Sequence, residues 1–146
     1  MPETTPVDQV MELVSLLQRD MAHSFARDGL TEARAHLLWV LQDGPTTQRA
    51  LADALRVTPR NITGLVDGLV ASGHVVRRAH PTDRRATLVD LTEPGADLLR
   101  SMTEGYAEMH EVLFGGLPDR ELAAFGRTLG RVVDRLRARL VEEGIG

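Results

Sequence analysis

Arg60 and Asn61 stand side by side, and further along the chain Asp83, Arg84 and Arg85 follow one another between two apolar runs. An arginine fork can donate to O6 and N7 of guanine, and an asparagine amide matches N6 and N7 of adenine. Thr63, nearby, suits a phosphate oxygen or a thymine methyl. An arginine at a narrow turn suits the minor groove, where A·T-rich duplexes concentrate negative potential. These residue types at these places imply reading of a DNA duplex. Candidate contacts are therefore Thr47, Arg49, Thr58, Arg60, Asn61, Thr63, Gly64, Arg77, Asp83, Arg84 and Arg85.

Such contacts need a helix and a ribbon to hold them. Thr58 is a good N-cap, and Pro59 suits the first helical position, where its missing N–H costs nothing. Ile62, Leu65, Val66 and Leu69 then recur at offsets of three, four and seven, leaving Arg60, Asn61, Thr63 and Gly64 on the opposite side. Gly73 marks the stop. From Pro59 to Ser72 the helix would be roughly 21 Å long, enough to cross a major groove. The period then becomes strand-like, predicting a two-stranded β-wing whose turn carries the aspartate and the arginines. Thr47 predicts the cap of a shorter helix over Gln48 to Leu55, one tight turn before Thr58. Two helices so joined are a helix-turn-helix pattern, with the second as the reader.

The flanks are helical. Val7, Val10, Met11, Val14, Leu17 and Met21 form one stripe. Thr31 predicts the cap of a second helix that Asp43, Gly44 and Pro45 end. Thr92 and Pro94 start a long helix that Gly115 and Gly116 break, and Pro118 and Asp119 start the last one. Met1 to Pro6 is expected to fray. Long amphipathic helices outside the reading module predict a two-fold homodimer. The expected fold is mainly α, a winged helix-turn-helix with long N- and C-terminal dimerisation helices. It forms one domain over 1–146, with helices at 7–45 and 93–142 for dimerisation and a ligand pocket, and a DNA-binding lobe at 46–92.

Charge distribution agrees with this division. The chain carries −4 overall, yet between Thr46 and Leu91 seven arginines face four aspartates, a net +3 against −7 elsewhere. Phosphate neutralisation is local, so a basic centre between acidic ends suits a duplex. All seventeen basic residues are arginine, inside and outside the basic segment, so position carries more weight than identity. The chain has no cysteine, which excludes disulfides and thiolate metal sites. It has neither a signal-peptide pattern nor an apolar run of membrane-spanning length, so a cytoplasmic location is expected. No P-loop, dinucleotide glycine turn, G-x-S-x-G or H-E-x-x-H occurs, and no enzyme and no cofactor is expected.

The runs VTPRNITGLVDGLVASGHVVRR and HPTDRRATLVDLTEPG resemble the recognition helix, wing and fifth-helix start of the MarR family of winged helix-turn-helix transcription regulators. The family's D-x-R element is present as Asp83, Arg84 and Arg85, and its LTE.G element as Leu91, Thr92, Glu93 and Gly95. The resemblance implies a ligand-responsive repressor that binds a pseudo-palindromic operator as a homodimer. It places Arg85 in the minor groove and gives Asp83 the shaping of the wing. Gly64 and Gly68 depart from the bulkier residues that many members carry. The implied effector region includes Phe25, His36, Trp39, Arg100 and Tyr106, with Arg27 and Arg34 also available for an acid group, and suits a small aromatic or phenolic molecule. Two alternatives remain. His23, His36 and His110 could meet to make a zinc-responsive regulator, though no metal-ligand spacing marks them. A winged helix can also serve protein contacts without DNA.

Overall fold

The computed structural model describes residues 3–145. Met1 and Pro2, part of the segment expected to fray, lie outside them, as does Gly146. The chain runs α1 (Pro6–Arg27), α2 (Glu32–Val40), a 3-10 turn (Leu41–Asp43), β1 (Thr46–Thr47), α3 (Gln48–Leu55), α4 (Pro59–Ala71), β2 (Val75–Ala79), β3 (Thr87–Leu91), α5 (Glu93–Phe114) and α6 (Asp119–Glu142). It divides into two compact units, one up to Met102 and one from Thr103, the boundary falling inside α5.

In the first unit the helix starts follow capping chemistry. The hydroxyls of Thr31, Thr47 and Thr58 accept the N–H groups of Arg34, Ala50 and Asn61, at 3.1 to 3.2 Å. Each satisfies a donor that has no partner inside its own helix. Thr5, expected to fray, instead forms a capping box. Its hydroxyl accepts from the Asp8 N–H while its own N–H donates to the Asp8 carboxylate at 2.8 Å. The Thr5 hydroxyl also donates to Asp8 Oδ2 at 2.7 Å, and it, followed by the Thr5 amide, holds the exposed Asp8 carboxyl below the usual carboxylate range.

The core of this unit joins Leu37, Leu38, Leu41, Leu51, Ile62, Val66, Leu69 and Val89, all buried. The apolar stripe of α4 thus faces inward as its spacing predicts. α4 ends one residue before the expected Ser72, which serves as its C-cap, and Gly73 takes φ +80°. Between α3 and α4 the tight turn places Arg56 at φ 54°. A side chain there costs about 1–2 kcal/mol of steric strain. The N–H groups of Arg56 and Val57 closing back on Asp53 and Ala52 hold the residue in place.

The two-stranded ribbon forms from β2 and β3, and a third strand joins it. β3 lies in the middle of an antiparallel sheet, with β2 on one side, registered Arg77 opposite Val89, and β1 on the other, registered Thr46 opposite Val89. Two threonines, the second of them an N-cap, show no apolar alternation, so β1 left no periodic trace.

The second unit holds the end of α5 and all of α6. Phe114 packs against Phe125 with ring centroids 5.7 Å apart and against His110 at 5.3 Å. α6 buries no residue although Phe125, Leu129, Val132, Val133 and Leu136 recur along it. α1 in the first unit likewise buries none. Among the described residues no helix is long and apolar enough to cross a membrane.

Candidate nucleic-acid interface

α4 presents Arg60, Asn61, Thr63 and Gly64 on its exposed side because Ile62, Val66 and Leu69 are committed to the core. Arg49 is exposed on α3, and Arg84 and Arg85 are exposed in the wing turn. The side chains of Arg49, Arg60, Asn61, Arg84 and Arg85 make no hydrogen bond or ion pair within the described residues. Their donors remain available to a ligand.

Other residues expected to touch DNA have intramolecular partners. Thr47 and Thr58 spend their hydroxyl oxygens on caps. Arg77, on β2, reaches across to both helices. Its Nη2 donates to Asp67 Oδ1 at 2.6 Å and to the Thr63 carbonyl at 3.4 Å, and its Nε donates to Gln48 Oε1 at 3.2 Å. Gln48 Nε2 in turn donates to the Thr63 hydroxyl at 2.9 Å, and that hydroxyl donates to the Pro59 carbonyl at 2.9 Å. One guanidinium thus ties the start of α3, the middle of α4 and the wing together. Gln48 and Asp67 were not singled out from sequence, because only their meeting in space distinguishes them from solvated polar residues.

The wing turn is built on a carboxylate. Asp83 Oδ1 accepts the Arg85 N–H at 2.9 Å, and the Asp83 carbonyl accepts the Ala86 N–H at 3.2 Å. Asp83 therefore orients the chain that carries Arg84 and Arg85. At the wing's base, Thr92 donates its hydroxyl to the Gly73 carbonyl at 2.5 Å, accepts from the Gly95 N–H at 3.1 Å, and donates its own N–H to the His74 carbonyl at 3.1 Å. Gly95 is glycine for a steric reason, since a Cβ there would run into the His74 carbonyl oxygen.

The two glycines of α4 differ. A Cβ on Gly68 would lie 2.8 Å from Cζ of Arg34, so the guanidinium of α2 occupies that space. A Cβ on Gly64 would meet nothing within 4 Å. Gly68 is thus covered by the mobile end of a long side chain, whereas Gly64 is open.

The expected effector residues come from three helices and from both units. A groove of about 390 Å³ runs along the end of α1 and the start of α2, lined by Met21, Ala22, Phe25, Ala26 and Leu30 with Gln18 and Glu32. Of the five expected residues only Phe25 lines it. His36 is exposed on α2, Trp39 is half-buried, Arg100 pairs with Asp97 at 2.9 Å, and Tyr106 belongs to the second unit. No three of histidine, cysteine, aspartate and glutamate come together around a common point among the described residues.

A capped reading helix with its outer face free, preceded by a tight helical turn and followed by an arginine-tipped ribbon, defines a winged helix-turn-helix DNA-binding regulator. Comparison with known proteins narrows the class. The family model of the MarR family matches residues 28–86. The repressor YetL of Bacillus subtilis, an HTH-type transcriptional repressor, is 34% identical over 119 residues, covering 80% of this chain and 71% of its own. MepR, a transcription regulator of the Staphylococcus aureus multidrug efflux pump MepA, superposes with a TM-score of 0.77 at 21% identity, covering 90% of this chain and 98% of its own. The S. aureus MepR–DNA complex superposes with a TM-score of 0.67 at 23% identity, with 90% and 99% covered. The chain belongs to the MarR family of transcriptional regulators.

Proposed function

We propose that the protein is a repressor that binds a pseudo-palindromic operator as a homodimer and responds to a small ligand. The observation that carries the DNA contacts is the division among the arginines. Arg49, Arg60, Arg84 and Arg85 are exposed and unpaired, whereas Arg77 and Arg78 are held by Asp67 at 2.6 Å and Asp90 at 3.3 Å. Arg60 and Asn61 read base edges, Arg49 takes phosphate, and Arg85 enters the minor groove with Arg84 beside it. Gly64, open on its outer side, lets the α4 backbone approach the duplex. Thr47, Thr58, Thr63, Arg77 and Asp83 form the frame that presents them.

The homodimer is supported by α1 and α6, which carry apolar stripes and bury no residue within one chain. A second copy would cover them, and two reading helices related by a two-fold axis would then meet half-sites about 10 base pairs apart. The groove beside Phe25 suits a small aromatic or phenolic effector by its apolar lining. A ligand that prefers a dimer with the wrong helix spacing would shift the population from the DNA-competent form. The work is done where the genomic DNA lies, in the cytoplasm. Footprinting on the DNA upstream of its own gene should protect two half-sites about one helical turn apart. A single monomer footprint would overturn the dimeric reading, and a flat salt dependence would favour the protein-contact alternative. Phenolic acids that change neither thermal stability nor operator affinity would overturn the effector assignment.

A further inference from the structure

The turn that carries Arg84 and Arg85 is folded around an imidazole nitrogen. His80 follows β2, and its Nδ1 accepts the backbone N–H of Thr82 at 3.2 Å and of Asp83 at 3.0 Å. The Thr82 hydroxyl lies 3.4 Å from the same atom. Two backbone donors leave no ambiguity, because a nitrogen that accepts from them carries no proton. Asp83 Oδ1 then accepts the Arg85 N–H at 2.9 Å. Two side-chain acceptors in series thus fix the N–H groups of residues 82, 83 and 85.

We infer that His80 is a positioning residue for DNA binding: unprotonated at Nδ1, it folds the wing turn that presents Arg84 and Arg85, and a proton on Nδ1 releases it. The inference rests on the DNA-contact reading above. Protonation would turn the acceptor into a third donor aimed at two others. The charged residues next to His80 along the wing are Asp83, Arg84 and Arg85 in the turn and Arg78 on β2, which Asp90 on β3 already holds at 3.3 Å. A new cation would join two unpaired arginines. If His80 acted only through charge, acidification would draw phosphate closer and tighten binding. If it acts by holding the turn, acidification weakens binding, so the sign separates the two roles.

The experiment compares wild type, His80→Asn and His80→Ala in binding to the upstream DNA by fluorescence anisotropy, from about pH 8 to about pH 5.5, across the range where imidazoles titrate. Asparagine offers a non-titrating acceptor close to the place of Nδ1. At pH 8, His80→Ala should bind about tenfold more weakly, the scale of one or two lost hydrogen bonds, and His80→Asn should stay within about twofold of wild type. On acidification wild type should lose about tenfold more affinity than His80→Asn, which cancels the contribution of the other histidines. In the free protein, ¹⁵N chemical shifts should show the His80 proton on Nε2 at pH 8. The inference is overturned by a proton on Nδ1, by alanine binding as tightly as wild type, by parallel pH profiles of wild type and His80→Asn, or by tightening in acid. If no form binds DNA the proposed function fails, and the nitrogen shifts still decide whether His80 holds the turn.

Discussion

Replacing Arg77 by alanine should weaken operator binding without changing its salt dependence. Arg77 gives one charge-assisted bond to Asp67 and a neutral-acceptor bond to Gln48, at 2.6 and 3.2 Å. A bond of the first kind contributes about 1.5–3 kcal/mol and one of the second about 0.5–1.5 kcal/mol. The Arg77 side chain is 32% exposed and that of Asp67 59%, so solvent screens the pair and the low end of each range applies. Their loss should lower stability by about 2 kcal/mol, or about 4–8 °C in Tm. With β2 untied from α4, wing and reading helix no longer reach DNA as one body, and affinity should fall about tenfold. The assay is anisotropy over a salt series from about 50 to 200 mM. A dimer losing one phosphate contact per half-site would show its log–log slope fall by about 1.8, whereas loss of a clamp leaves the slope unchanged. Asp67→Asn should reproduce the loss, and the double variant should be clearly less than additive, as for residues in contact. A slope reduced by nearly two, or tighter binding by Asp67→Asn, would show that Arg77 serves phosphate and that Asp67 merely competes for it.

Three further outcomes follow from local geometry. Gly64→Ala should raise stability by about 1 kcal/mol in thermal melts, since a Cβ there meets nothing within 4 Å, while lowering operator affinity if the duplex approaches that backbone. Gly95→Ala should destabilise by about 1–3 kcal/mol in denaturant titrations, because the methyl and the His74 carbonyl claim the same space. Asp8, whose carboxyl is held low by Thr5, should secure the first turn of α1 above 3.8, the ordinary aspartate value, and release it as pH falls from there through the lower folded value. NMR of the Thr5 and Asp8 amides across that acid range should show the release, and Asp8→Asn should remove the titration.

What could be read from sequence was what a few adjacent residues decide. Thr31, Thr47 and Thr58 cap helices because an N-cap needs only one hydroxyl and the next turn, and the α4 stripe faces inward because its period leaves no other choice. The same logic was present in Thr5 and Asp8, whose spacing is a capping-box signal, but the segment's place at the chain end pointed to fraying. Residues that meet across elements left no such trace. Arg77 looked like any basic wing residue until Asp67, Gln48 and Thr63 surrounded it. Gly68 looked like a weak point in the reading helix until Arg34 filled its empty side. The effector residues Phe25, His36, Trp39, Arg100 and Tyr106 come from three helices, and no local pattern states which of them share a cavity.

The Thr92 junction has a consequence for the order in which the protein is made. Its hydroxyl closes on a carbonyl only 19 residues earlier, and the hairpin, α4 and the start of α5 all lie between Thr58 and Gly95. Contacts of such short separation have little loop-closure entropy to overcome and form early. The ribosome synthesises all of these residues before it reaches α6. The reading lobe can therefore be assembled while α6 has yet to leave the ribosome, and the proposed pairing of two copies through that helix would come as a later, concentration-dependent step.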